Sequence, residues 1–329
     1  MLCRPRVALA LALCAALNAP QALANDSAAE LDAGGLVLVK DPEVALVRED
    51  LTIGLDRITV RYVFRNRSAA ARTLKVAFPL PPIDGAELTS SAQSLPDESS
   101  PNFVGFTVTV DGQALTPQLE ERAFLGAREV SDLLRKHAVP LNPMRRDAYG
   151  AAVAKLTPTA KAELAAAGLI PEDEGPDGGQ WRSEAKFYWD QTFPAGRDLV
   201  IEHAYRPVKG SILIGRSDLD DRAFRQRYCL DDAGVAGVRR FLAGKGKDDA
   251  VRGVVVPYIV TTARNWAGTI GTFALTIDKG HPKTLVSLCR NGLVKTGPST
   301  FSFTATNFVP DADLRVLYVS QDAEALGIR

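Results

Sequence analysis

Histidine, methionine and cysteine are scarce in this chain: its 329 residues hold three histidines, two methionines and four cysteines. No two histidines lie close together and no Cys/His cluster appears, so a zinc site of recognisable spacing is not expected. An excess of charge is also missing. Lys+Arg and Asp+Glu number 39 each, and charged residues make up only 24% of the chain. That balance argues against nucleic acid as a partner. There is no Gly-x-Ser-x-Gly nucleophile elbow. Gly244-Lys245-Gly246-Lys247 lacks both the glycine spacing and the following hydroxyl of a phosphate loop. The acidic runs Asp218-Leu219-Asp220-Asp221 and Asp231-Asp232 lack the graded spacing of a calcium loop, and helix capping accounts for them more simply. No cofactor or metal is expected.

Long apolar runs are absent apart from one at the N-terminus. Arg4 and Arg6 precede an apolar stretch from Val7 to Leu17, and Gln21-Ala22-Leu23-Ala24 follows. Positive start, short apolar helix and small residues at the end are the plan of a secretory signal, with cleavage expected after Ala24. The stretch is too short to span a bilayer, and no transmembrane segment is expected elsewhere. Leu11-Ala12-Leu13-Cys14 loosely resembles a lipidation box, but bulky Leu13 stands where a small residue should precede the cysteine. Cleavage after Ala24 removes two arginines and no acid, which leaves a net charge of −2. It also removes Cys3 and Cys14. Cys229 and Cys289 then remain in an oxidising compartment, periplasmic or extracellular, and are expected to form a disulfide. Closing that loop is worth roughly 4 kcal/mol on the chain-entropy account.

Residues 25–118 read as short strands. Ile58, Val60, Tyr62 and Phe64 alternate with Thr59, Arg61, Val63 and Arg65, a period of two with one buried face. Phe106 to Val110 is another strand, closed by the tight-turn pair Asp111-Gly112. Lys75 to Leu80 runs into Pro79-Leu80-Pro81-Pro82, which cannot continue a ladder. This pattern predicts an antiparallel β-sandwich.

Residues 119–180 change period and predict a small helical insert and linker. Thr157 caps a helix that begins at Pro158 and ends at Gly168. Asp147 and Ser131 are candidate caps of two shorter helices, and the acidic, glycine-rich stretch 171–179 reads as a loop. Residues 181–329 return to strands. Phe187, Trp189 and Phe193 share one face of a strand, and Leu199, Ile201, His203 and Tyr205 share another. Between Asp221 and Leu242, apolar residues recur at helical steps, so a helical excursion carries Cys229. The fold class is mainly β: two antiparallel sandwich-like domains, a helical insert between them and a helical excursion in the second.

Several strings together resemble a known family. They include Tyr62-Val63-Phe64-Arg65-Asn66, Ala77-Phe78-Pro79-Leu80-Pro81, Phe187-Tyr188-Trp189, Glu202-His203-Ala204-Tyr205-Arg206-Pro207, Tyr228-Cys229-Leu230-Asp231 and Asn265-Trp266-Ala267-Gly268. On these the chain resembles the exported bacterial family known as domain of unknown function 4424, across nearly all of its length after residue 24. The resemblance implies export and brings no activity, cofactor or catalytic residue. Tyr62 to Asn66 followed by Phe78 to Pro81 is also similar to the sandwich module of inter-alpha-trypsin inhibitor heavy chains. The Asp-x-Ser-x-Ser metal site of the domain that follows there is not matched by Asp97-Glu98-Ser99-Ser100-Pro101.

For function, the expectation is a non-catalytic binding or scaffolding module of the cell envelope. Its partner would be an envelope protein, peptide or polysaccharide. The alternative is a periplasmic hydrolase or lyase that draws paired carboxylates from distant strands. No catalytic residue is singled out. Trp189, His203, Tyr205, Arg206 and Trp266 are the candidates for a ligand groove, against the competing assignment of most of them to the core. Arg222, Arg225, Arg227, Arg239 and Arg240 make the excursion basic, most simply as a solvated helix face.

Overall fold

The computed structural model describes residues 26–32, 35–85, 92–170, 179–246 and 249–327. The expected signal at 1–24, with Cys3 and Cys14, lies outside the described residues, as does nearly all of the acidic loop.

The structure is mainly β, with three sheets and a few helices. The first sheet contains β1 (Ser27–Asp32), β2 (Gly35–Val39), β5 (Arg72–Pro79), β6 (Ile83–Asp84), β10 (Gln118–Leu125), β11 (Arg128–Glu129) and β12 (Arg182–Phe193). Its order is β11-β10-β12-β5-β1-β2, with β6 also on β12. The second, eight-stranded sheet contains β3 (Val44–Gly54), β4 (Ile58–Asn66), β8 (Thr107–Val110), β9 (Gln113–Leu115), β13 (Asp198–Tyr205), β16 (Ile270–Asp278), β18 (Val294–Lys295) and β19 (Thr300–Phe308). They run β18-β19-β16-β3-β4-β13-β8-β9. The third contains β7 (Ala92–Ser94), β14 (Lys209–Ile214), β15 (Val251–Tyr258), β17 (Leu285–Ser287) and β20 (Leu314–Ser320), in the order β17-β20-β15-β14-β7.

All of these pairings are antiparallel except β3 with β16. The turn between β8 and β9 has Asp111 and Gly112 both at positive φ, as a two-residue hairpin of matching twist requires. Strands from 25–118 and from 181–329 share every sheet, so those ranges mark stretches of sequence rather than separate sheets. A period of two tells which residues share a face; it does not name the neighbouring strand.

Apolar faces of all three sheets meet in one core. Leu51, Ile58, Tyr62 and Phe64 of the second sheet pack against Val76, Phe78 and Phe187 of the first and Val254, Tyr258 and Tyr318 of the third. Across this core the Tyr62 and Tyr258 hydroxyls stand 3.2 Å apart, and the Tyr318 hydroxyl donates to the Ile53 carbonyl.

One group of helices extends the core along the face of the first sheet that carries Phe187, and another covers the outer side of the third sheet. The insert consists of α1 (Ser131–Lys136), α2 (Arg146–Ala154) and α3 (Pro158–Ala166). Leu134, Tyr149 and Leu164 from these helices bury against Trp181 and Ala123 beside the first sheet. Thr157 caps α3, accepting from the Ala160 amide. Asp147 and Ser131 do not cap: each lies inside its helix, and the Ser131 hydroxyl accepts from the Ala123 amide on β10. The excursion consists of α4 (Arg216–Asp220), α5 (Arg222–Tyr228) and α6 (Asp232–Phe241). Its Leu219, Val235, Val238 and Leu242 pack on Ile214, Leu317 and Val319 of the third sheet.

Candidate functional site

Four of the five candidate groove residues lie in the core. Trp189, His203, Tyr205 and Trp266 are each 3–4% exposed; only Arg206 reaches solvent. The groove expected from them is therefore not an open one, because their strand faces point between the sheets. Trp266 packs on Phe64 and Phe193 and donates its Nε1–H to the Asp26 carbonyl at 2.6 Å. His203 is ringed by Tyr62, Phe78, Phe106 and Trp189, with its Nε2 3.6 Å from an Asp26 carboxylate oxygen. Burial pushes the His203 imidazole down to about 3 and holds it neutral. Burial likewise raises Asp26, with the Glu49 carboxylate adding to the effect. Burial also raises the Tyr205 phenol. Asp26 and Glu49 are two carboxylates close enough for one to raise the other, and solvent reaches neither.

The disulfide between Cys229 and Cys289 is formed, with the Cα atoms 5.1 Å apart. It ties the α5–α6 junction to the end of β17, where the Ser287 hydroxyl donates to the carbonyls of Tyr228 and Cys229. Asp221 and Asp231 cap α5 and α6 through the Ala223 and Gly234 amides, and Asp218 accepts from the Gly215 amide. Arg225 pairs with Asp232 and Arg239 with Asp220 at the surface. His137 sits at the end of α1, with Nε2 2.8 Å from Glu163. No group of three or more His, Cys, Asp or Glu among the described residues is placed to hold a metal ion. Ser183-Glu184-Ala185-Lys186 has the Ser-x-x-Lys spacing of some acyl-transfer sites, but on β12 residues three apart face opposite sides of the sheet.

One face of the second sheet enters the core; its other face is polar, and the segment around Asp322, Glu324 and Gly327 borders it beside Thr52 and Thr59. Cross-strand pairing sets the outward residues in rows. One row is Ser302, Thr276, Thr52, Thr59, Ala204 and Thr107. The next is Thr304, Ala274, Asp50, Arg61, Glu202 and Thr109, and a third starts Thr306, Thr272, Arg48 and Val63.

Charges on this face are paired among themselves. Arg48 makes a two-pronged contact with Asp50 at 2.6 and 2.8 Å, and Arg61 stands 3.8 Å from both Asp50 and Glu202. Thr109 donates to Glu202 at 3.4 Å. Asp50, Thr52, Thr59, Arg61, Thr109 and Glu202 border a shallow depression of about 400 Å³. The sequence reading missed this site. Its signal was the polar half of each alternating strand, Thr59 and Arg61 or Thr107 and Thr109, which reads as ordinary solvated surface until the strands are placed side by side.

Residues 24–317 match the family described as Domain of unknown function (DUF4424). The chain belongs to that family. No curated protein matches this DUF4424 chain. Among solved structures it is similar to a candidate nutrient binding protein from Legionella pneumophila, with 13% identity, 85% of this chain and 68% of that one covered, and a TM-score of 0.43. It is also similar to an M1 zinc metallopeptidase from Deinococcus radiodurans, with 8% identity, 86% and 43% covered, and a TM-score of 0.27. The DUF4424 chain thus spans less than half of the metallopeptidase. At those scores neither likeness bears on what it does.

Proposed function

We propose that the protein is an exported component of the cell envelope, periplasmic or secreted after cleavage following Ala24, and that it binds an envelope polymer or polypeptide without altering it. The observation that carries this reading is the hydroxyl-rich outer face of the eight-stranded sheet, where hydroxyl side chains line up across neighbouring strands. The disulfide fits an oxidising compartment. No helix among the described residues is long and apolar enough to cross a membrane. A hydrolase or lyase is the less supported reading, since Asp26 and Glu49 are sealed in the core and Asp50 and Glu202 face Arg61.

The test is co-sedimentation of residues 25–329 with washed Gram-negative cell envelopes. The T52E/T276E variant places two like charges on facing positions of the central row. Wild-type protein is expected in the pellet, with at least a tenfold smaller bound fraction for the variant. Equal retention of the variant, no retention of either, or release of soluble saccharide or peptide by the wild type would overturn the reading.

A further inference from the structure

Resting on that reading, we infer that the occupant of the open face is an uncharged, polyhydroxylated polymer: a neutral glycan strand.

The side chains on the face select against other classes. Protein partners are held by large aromatic or aliphatic anchors and by arginines that desolvate on binding. The three rows contain no aromatic residue; besides alanine their aliphatic members are Val294, which pairs with Ser302 at the β18 end of the first row, and Val63 and Val200 in the third. Anionic polymers and lipid surfaces are held by unpaired cations, whose counterion release makes binding steeply salt-dependent. Here Arg48 and Arg61 are matched by Asp50 and Glu202, so these two cations are already engaged, and Arg57 is one further cation at the border of the depression.

What the face does offer is hydroxyls in register. Ser302, Thr276, Thr52, Thr59 and Thr107 follow one another across six strands, interrupted only by the small Ala204. At a strand spacing of about 4.8 Å that row is about 24 Å long, enough for several sugar residues laid across the strands. Each hydroxyl both donates and accepts, which is the complement of a sugar hydroxyl. The neighbouring row adds Asp50 and Glu202, whose spare oxygen lone pairs accept from a polyol while Arg61 supplies donors. The β-branched threonines have restricted side-chain torsions, so little rotamer freedom is lost when they engage.

The experiment measures binding of residues 25–329 to chito-oligosaccharide, soluble β-glucan, polygalacturonate and phosphatidylglycerol-containing vesicles, at low and at moderate salt. At least one of the two neutral glycans is expected to bind, with less than a threefold change between the two salt conditions. The T52V/T59V/T276V variant, which keeps shape and strand propensity and removes three hydroxyls, is expected to bind at least tenfold more weakly. Preference for polygalacturonate or vesicles, or undiminished binding by the valine variant, overturns the glycan assignment. Failure of both neutral glycans, with washed envelopes still retaining wild type but not T52E/T276E, overturns the glycan class and leaves the binding reading standing. Envelope retention indifferent to T52E/T276E removes the face itself.

Discussion

The His203 imidazole and the Asp26 carboxylate, 3.6 Å apart, are both closed off from solvent inside an aromatic wall. They join β13 to the residue that precedes β1, 177 positions earlier in sequence, whose carbonyl also receives the Trp266 indole N–H. Segments of two sheets therefore meet at one polar contact.

Burial of these two groups makes stability depend on pH in a defined direction. His203 has a folded-state value of about 3 against an ordinary 6.5, so on acidification the unfolded chain takes its proton first. Its contribution is complete above 6.5 and is lost as pH falls toward 3, at about 1.4 kcal/mol per pH unit. Asp26 is raised, so its contribution has the opposite sign: present below 3.8 and lost as pH rises through its raised value. Urea unfolding of wild type and His203→Gln at pH 7, 6, 5 and 4 isolates the histidine. The wild-type advantage should shrink with each step below 6; two parallel profiles would show that His203 does not set the slope.

Reduction of the disulfide should cost stability. The Cys229→Ser/Cys289→Ser variant is expected to lose up to roughly 4 kcal/mol, because the unfolded chain regains the freedom of a 60-residue loop. A non-reduced digest should contain both cysteines in one linked peptide. Alkylation of either thiol without prior reduction would contradict the bond.

Gly271 on β16 gives a backbone test. Strand β3 shifts register between Leu46 and Arg48, and the bulged Val47 turns its carbonyl onto Gly271, where an added Cβ would lie 2.4 Å from that oxygen. Gly271→Ala should destabilise the protein by about 1–3 kcal/mol through this overpacking. An unchanged denaturation midpoint would mean that the parallel β3–β16 pair can part without cost.

Arg61→Ala separates binding from folding. Arg61 is 43% exposed on its side chain and its contacts at 3.8 Å are solvent-screened, so its loss should change stability by less than about 1 kcal/mol. Retention by washed envelopes should nevertheless fall, because Glu202 then loses its cation partner and leaves one net negative charge at the centre of the face, while Asp50 stays held by Arg48. Retained binding with normal stability would remove Arg61 from the site.

Much of the local structure was legible without coordinates. The alternation from Ile58 to Phe64, the Asp111-Gly112 turn, the Thr157 cap before Pro158 and the helical steps of Val235, Val238 and Leu242 all depend on neighbours within a few residues. Short-range sterics and hydrogen bonding decide such features. The Cys229–Cys289 pair was legible for another reason: with Cys3 and Cys14 assigned to the signal, only one pairing was left.

The site was not legible, and the reason is the same alternation. On β13, His203 and Tyr205 belong to one face, Glu202 and Ala204 to the other, and a period of two separates them without saying which face meets another sheet and which meets water. Aromatic character drew Trp189, His203, Tyr205 and Trp266 into a candidate groove, whereas layering buried them between sheets. Threonine and paired charge marked the solvated half, and only the pairing of β3 with β16, more than two hundred residues apart, and of β4 with β13 aligned that half into rows. Sequence alone determined the mainly β character, the helical segments and the disulfide; tertiary structure decided which strands are neighbours and which face stays open, because those depend on contacts between residues that no local pattern connects.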